Sequence, residues 1–120
     1  MEFTESLKMN YEFRRLYAKG KSAVTPYLVV YVRRTGRDHN RLGITVSNKI
    51  GKAVVRNRVR RRLREVYRLH EEAFCPGWDI VVVARSRAVD APFEKLTGSF
   101  LNLAKKAGVL RRENPEGKKS

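Results

Sequence analysis

The sequence predicts a single α+β domain, an α/β sandwich with the element order α-β-β-β-α-β-α. Three observations carry that reading. Two segments, roughly 53–74 and 92–107, repeat apolar residues at helical spacing. Three short runs, Tyr27 to Val32, Leu42 to Val46 and Asp79 to Ala84, are rich in β-branched residues and bounded by turn chemistry. A chain of 120 residues with no internal repeat and no inner linker has the length of one domain.

The elements follow in order. Asn10 is of the type that caps a helix, because its side chain accepts from the free amides of the first turn. That helix is expected to run to Lys19 and to stop at Gly20, with Phe13, Leu16 and Tyr17 on one side. Lys21 to Thr25 reads as a short strand closed by Pro26. Tyr27 to Val32 is apolar on both alternating faces, as a strand covered on two sides must be. Residues 36–40 are turn formers, and Leu42 to Val46 is the next strand. A long helix is predicted from Ala53 to Phe74, ended by Pro76 and Gly77, and Asp79 to Ala84 is the strand expected at the sheet centre. Asp90 and Pro92 open a last helix that aligns Phe93, Leu96, Phe100, Leu103 and Ala107 and ends at Gly108. The domain is expected to span 1–110, and 111–120, which has no apolar residue, to be a disordered basic tail.

The long helix carries the strongest functional signal. Between Arg56 and Arg68 it holds seven arginines and a single acid, Glu65, in thirteen residues. At about 100° per residue, Val55, Val59, Leu63, Val66 and His70 form one narrow stripe, the pattern of a helix docked on a core. Every other direction is basic: Arg56, Arg60 and Arg64 make a row beside the stripe, Asn57, Arg61 and Arg68 cover the back, and Arg58 and Arg62 close the far side. Like charges at i,i+4 each cost a few tenths of a kcal/mol in an isolated helix. A polyanion is the partner that relieves this many.

The whole chain agrees. It has 27 Lys and Arg against 12 Asp and Glu, a formal net charge of +15. Such a balance calls for a nucleic acid or an anionic membrane. The membrane reading fails on pattern, since the longest apolar runs fall far short of the ~20 residues of a span. Glu2, Glu5 and Lys8 interrupt the N-terminus, against a signal peptide. Cys75 is alone, which favours a reducing compartment, and cytoplasm is the default expectation.

An autonomous active site is not visible. Asp38, Asp79 and Asp90 lie in separate segments, without the close carboxylate pair of a two-metal site. His39 belongs to a polar turn, His70 reads as a partly buried core residue, and no metal-ligand spacing exists. No catalytic residue and no protein metal site is expected.

Binding has better support. Arginines fork onto phosphates and stack on bases, which lysines do poorly. Asn57, between Arg56 and Arg58, offers both donor and acceptor. Lys49 and Lys52 precede the helix, where its N-terminal dipole adds to their charge. Phe13 and Tyr17 are one turn apart, and Tyr31 lies on a strand that ends at Arg33 and Arg34; rings in a basic groove are how unpaired nucleotides are held. Duplex DNA is disfavoured, because no helix-turn-helix surrounds the basic helix and only Asn57 is of the type that reads adenine. Charge without reading groups suits structured RNA.

The stretch from Ser47 to Arg61, SNKIGKAVVRNRVRR, resembles the signature of the bacterial ribonuclease P protein subunit: Lys-x-Gly-x-Ala-x-x-Arg-Asn-x-x-(Lys/Arg)-Arg, with a further arginine at Arg64. Phe13 and Tyr17 resemble the paired aromatics of that family, with Tyr17 in place of the commoner phenylalanine. The likeness covers about residues 8–107. Arg62 stands where the family often has an apolar residue.

The resemblance implies a four-stranded mixed sheet with a left-handed β-α-β crossover, a fold shared with the second domain of a small-subunit ribosomal protein. It implies a catalytic RNA that uses magnesium ions, held mainly by the RNA, to cut the 5′ leader from precursor tRNA. The chain would be the non-catalytic partner in that endonuclease. Lys49, Lys52, Arg56, Asn57, Arg58, Arg60, Arg61, Arg64 and Arg68 would meet RNA, and Phe13, Tyr17 and Tyr31 would line a cleft for the single-stranded leader. Two other classes stay open: a general structured-RNA-binding or ribosomal protein with no role in cleavage, and a nuclease in its own right.

Overall fold

The computed structural model describes residues 4–111, and the expected tail from residue 112 onward lies outside them. Five strands and three helices follow one another as β1 (Thr4–Ser6), α1 (Asn10–Lys19), β2 (Lys21–Val24), β3 (Leu28–Arg34), β4 (Asn40–Thr45), α2 (Ala53–His70), β5 (Trp78–Ala84) and α3 (Phe93–Ala107). The strands form one mixed sheet in the order β1-β4-β5-β3-β2. Strands β1 and β5 run parallel to β4, while β3 is antiparallel to both β5 and β2.

The expected α+β class and the central β5 are thus found, with corrections at the edges. The sheet has five strands, not four, because Thr4–Ser6 adds alongside Asn40–Leu42. Nothing in Thr-Glu-Ser announces a strand. It forms because the outer edge of β4 offers free backbone groups and because tertiary partners hold it. Thr4 Oγ1 donates to Glu71 Oε2 at 2.6 Å and lies 2.8 Å from the Tyr67 hydroxyl, and Leu7 N donates to Leu42 O at 2.9 Å. Helix α1 is capped at Met9, whose backbone N–H donates to Glu12 Oε1 at 3.4 Å, so Asn10 is the first helical residue and not the cap. Helix α2 ends at His70, and a 3-10 turn over Glu71–Ala73 completes the stretch expected to be helical up to Phe74. Strands β3 and β4 are displaced by one or two residues from the expected bounds, with Arg33 and Arg34 paired opposite Asp79 and Trp78. Gly108, at φ 84°, ends α3 as expected.

Alternation along the strands divides the core. Leu28, Val30, Val32, Leu42, Ile80, Val82 and Ala84 face α2 and α3, meeting Val59, Leu63, Val66 and Tyr67 from one helix and Leu96, Phe100 and Leu103 from the other. Tyr67, Phe74 and Phe100 form a ring cluster at its centre, with centroids 4.7–6.3 Å apart. The opposite face is smaller: Leu7, Leu16 and Val81 are buried there, with Phe13, Tyr31 and Val83 packed against them. Only α1 covers it. A sheet buried on both faces is why β3 and β5 read as continuous apolar runs.

Asn40 is buried and pins the turn before β5. Its Nδ2 donates to Cys75 O at 2.9 Å, and Trp78 N donates to its Oδ1 at 2.8 Å. Arg111, placed by the sequence in the tail, is tied to the domain by its Nε to Glu72 O at 2.8 Å and its backbone N–H to Ala73 O at 2.7 Å.

Candidate nucleic-acid interface

Helix α2 turns its apolar stripe inward and leaves its arginines in several distinct states. Val59, Leu63, Val66 and Tyr67 are fully buried. Arg58, Arg61 and Arg64 are exposed and make no hydrogen bond or ion pair among the described residues. Arg56 donates from Nη1 to Asn48 Oδ1, and Arg60 donates from Nη1 to Asn57 Oδ1 at 3.0 Å. Both acceptors are neutral amides, so these bonds aim the guanidinium groups without cancelling their charge. Asn57 is thereby a positioning group for Arg60, and its own side-chain N–H groups make no hydrogen bond among the described residues.

Two arginines behave differently. Arg68 is forked onto Glu65, with Nε to Oε1 at 2.8 Å and Nη2 to Oε2 at 2.6 Å, so its charge is largely answered within the helix. That pair is solvent-exposed and screened, so it orients the Arg68 head and adds little to folding. Arg62, expected on the basic far side, folds back to donate from Nη2 to Ala91 O at 2.5 Å. This explains a cation at a position that the family pattern often fills with an apolar residue: its stem covers the flank and its head closes the loop before α3. His70 is half-buried with Nδ1 2.9 Å from Val66 O, a structural placement in keeping with its sequence reading. Lys49 and Lys52 are exposed at the start of α2, where Lys52 is the N-cap and the first-turn amides are free.

The second feature lies on the α1 side of the sheet. The strand registers set its side chains in rows. Ser22, Tyr31, Val81 and Gly43 stand side by side, and α1 lies over this row. Val24, Val29, Val83 and Thr45 make the next row, beyond the helix. Tyr17 projects from α1 into the step between them: its ring meets Tyr31 edge-on with centroids 4.9 Å apart, and its hydroxyl lies 3.1 Å from Thr45 Oγ1. Tyr17 is 40% exposed and Val24 54%, so the step is an open groove, floored by Val24, Val29, Val83 and Thr45 and edged by the two tyrosine rings. Phe13, expected beside Tyr17 in the cleft, sits one turn deeper and half-buried. It rests on Gly43, where a Cβ would fall 2.7 Å from its ring. Tyr17 and Tyr31 are the rings brought together at the opening; Phe13 seats the helix that carries one of them.

A third row anchors α1. Arg33, Asp79, Arg41 and Glu5 alternate in sign across four strands. Arg41 forks onto buried Asp79, with Nε to Oδ1 at 2.9 Å and Nη2 to Oδ2 at 2.7 Å, and donates from Nη1 to Glu12 of α1. The Asp79 bonds, aided by those to Glu12, hold Arg41 more firmly protonated than a free arginine. Burial pushes the Glu12 carboxyl up, but the Arg41 bond and the backbone N–H of Met9 outweigh it, leaving it below the usual glutamate range. The network is invisible in the sequence because its members come from three separate elements.

Gly43 is the functional residue that sequence reasoning passed over, and a glycine inside a strand is the signal that marks close approach of another group. Gly43→Ala is expected to push Phe13 and α1 off the sheet and to carry the Tyr17 ring away from Tyr31. Folding stability should fall by about 1–3 kcal/mol, as overpacking does. Urea unfolding and the chemical shifts of the two tyrosine rings check this.

Fold and surface together define a small basic α+β protein with an arginine-rich helix and an aromatic-edged groove that meet at the end of β4. The chain belongs to the ribonuclease P protein family, whose model, described as Ribonuclease P, matches residues 1–108. It is 45% identical over 107 residues to the Ribonuclease P protein component of Clostridioides difficile (strain 630), covering 88% of this chain and 94% of that one. The Alkaliphilus oremlandii (strain OhILAs) Ribonuclease P protein component is 41% identical over 110 residues, covering 92% and 96%. The Staphylococcus aureus RNase P protein superposes with a TM-score of 0.80 at 37% identity, over 88% of this chain and 97% of that one. The Thermotoga maritima RNase P protein gives 0.78 at 36% identity, over 85% and 96%.

Proposed function

We propose that this chain is the protein component of a ribonuclease P ribonucleoprotein, in which it holds catalytic RNA on α2 and the 5′ leader of precursor tRNA in the groove beside α1. The observation that carries this reading is the juxtaposition of two surfaces. Thr45 stands on the groove floor, and the chain leaves β4 through Asn48–Ile50 directly into α2. A single strand lying on the tyrosines therefore comes within reach of Lys49, Lys52 and the first arginines.

The chemistry is electrostatic. RNA packed against RNA repels itself, and a substrate brings further phosphates to an already folded polyanion. A protein of net charge +15 at that seam lowers the repulsion, so less magnesium is needed to fill the catalytic sites of the RNA. Among the described residues no three His, Cys, Asp or Glu side chains come together as a metal-binding group. The reading gives the metal to the RNA and assigns the chain binding, orientation and charge neutralisation. Leader contacts are absent from mature tRNA, so the groove favours substrate over product. No helix among the described residues is long and apolar enough to cross a membrane, and the RNA partner would set the location as cytoplasm.

Reconstitution tests the proposal. Adding the purified chain to a matching catalytic RNA is expected to lower the magnesium concentration needed for half-maximal precursor cleavage, with no cleavage by the chain alone. An unchanged magnesium requirement would leave a general RNA-binding protein, and cleavage by an RNA-free preparation would make the chain itself a nuclease.

A further inference from the structure

We propose that the outward face of α1 is a second RNA-docking surface, on which Arg14 and Arg15 hold the phosphate backbone of a double-helical arm of the catalytic RNA. The inference rests on the reading of that RNA as the partner, and it adds a surface separate from both α2 and the groove.

The face follows from helical geometry. Phe13, Leu16 and Tyr17 turn towards the sheet, and Glu12 is drawn to Arg41 at one flank. At 3.6 residues per turn the opposite side of α1 carries Tyr11, Arg14, Arg15 and Ala18, all of them exposed. Lys8 and Lys19, also exposed, stand just before the helix and at its end. Glu12 is the one carboxylate of α1, and Arg41 already holds it. Among the described residues the side chains of Lys8, Arg14, Arg15 and Lys19 make no hydrogen bond or ion pair.

The Arg15 guanidinium lies over the Tyr11 ring, 5.8 Å from its centroid. The ring, 51% exposed, orients the guanidinium without cancelling its charge, so less freedom is lost when it meets a phosphate. Ala18, one turn on from both arginines, is small and lets a bulky backbone come close. The surface is a convex ridge with no floor for unpaired bases. Cations on a ridge without reading groups suit the sugar-phosphate edge of a duplex, whose recognition relies on shape.

Helices α1 and α2 cover opposite faces of the sheet, so the back of α2 and this ridge look away from each other. One straight RNA helix cannot lie against both, and RNA on both has to come from two arms. Arg15 and Lys19 stand at i,i+4 and repel each other. Relief that lasts through the cycle comes from the catalytic RNA, which stays bound while tRNA arrives and leaves. Gripped between two arms, the chain has a fixed orientation that contact along α2 alone does not give it.

The test uses the full chain and its catalytic RNA, with assembly affinity measured across a salt series. Arg14→Gln combined with Arg15→Gln is expected to weaken assembly roughly a hundredfold at low salt. The slope of log affinity against log salt should become shallower by about 1.8, the value of two duplex phosphate contacts. Arg14→Lys with Arg15→Lys keeps the charge and should restore the slope and part of the affinity. Tyr11→Ala, which frees the Arg15 head, should cost severalfold with an unchanged slope, and Tyr11→Phe should cost nothing. Lys105→Gln with Lys106→Gln removes the same charge from the exposed end of α3 and should leave assembly nearly unchanged. Thermal unfolding of each variant separates a folding defect from a binding one, and the lysine pair remains informative if the glutamine pair unfolds. An unchanged slope for the glutamine pair, or an equal effect from the α3 pair, overturns the assignment and leaves the ridge a solvated basic face. Intact assembly with precursor and mature tRNA weakened alike moves the surface to the tRNA body and also overturns it. A wild-type chain that binds an unrelated structured RNA as tightly as the catalytic RNA instead overturns the functional reading itself.

Discussion

Replacing Arg56, Arg60 and Arg64 together by glutamine is expected to lower affinity for the catalytic RNA about a thousandfold at low salt, since each charge-assisted contact contributes roughly 1.5 kcal/mol or more. The three form one row beside the buried stripe of α2. Arg56 and Arg60 are oriented by Asn48 and Asn57 without losing charge, and Arg64 is unpaired among the described residues. If six to eight phosphates are neutralised in all, the wild-type slope of log affinity against log salt lies at roughly −5 to −7. Removing three of the cations should bring it closer to zero by about 2.7. Folding should not suffer, because removing like charges at i,i+4 relieves a few tenths of a kcal/mol per pair. Arg68→Gln is the internal comparison: Glu65 already holds that guanidinium, so its loss should cost much less. Titration of labelled RNA over a salt series measures both quantities. Should the triple variant keep the wild-type slope, the arginine row is not where RNA binds.

The second large effect is expected from Tyr17→Ala combined with Tyr31→Ala. Base stacking on an aromatic ring contributes about 1–3 kcal/mol, so two rings imply a loss of about a hundredfold for leader-bearing precursor tRNA and none for mature tRNA. The two rings touch at 4.9 Å, which makes them one unit, and the single variants should each show most of the effect. Phe13→Ala belongs to a different class. Its ring fills the space over Gly43 and packs with Leu7, Leu16 and Val81, so its removal should lower folding stability before it touches binding. Measuring unfolding beside affinity for both RNAs distinguishes the two. Equal weakening of precursor and mature tRNA by the tyrosine pair would show that these rings serve the core alone.

How far these surfaces can be read from the chain alone differs from residue to residue. The buried stripe of α2 and the arginines around it are legible, because a helix repeats its faces every few residues and needs no distant partner to define them. Arg62 and Arg68 are not separable from their neighbours by that periodicity. One bends back to the Ala91 carbonyl and the other is neutralised by Glu65, and only packing geometry tells which arginines remain free. Tyr17 and Tyr31 can be named as candidates from their types and positions. Their meeting, and the retreat of Phe13 to Gly43, depend on how α1 crosses the sheet.

The sequence by itself determined the α+β class, the apolar runs that become β3 and the central β5, the three helices and the basic ridge, since each follows from local periodicity and side-chain chemistry. The tertiary structure decided the rest. It recruited the polar segment Thr4–Ser6 as a fifth strand, joined Arg41 to Asp79 and Glu12 beneath α1, and set Phe13 on Gly43. These features depend on strand order and register, which bring together residues dozens of positions apart. No window of neighbouring residues contains that information, because the energy that fixes it is released only when the sheet closes.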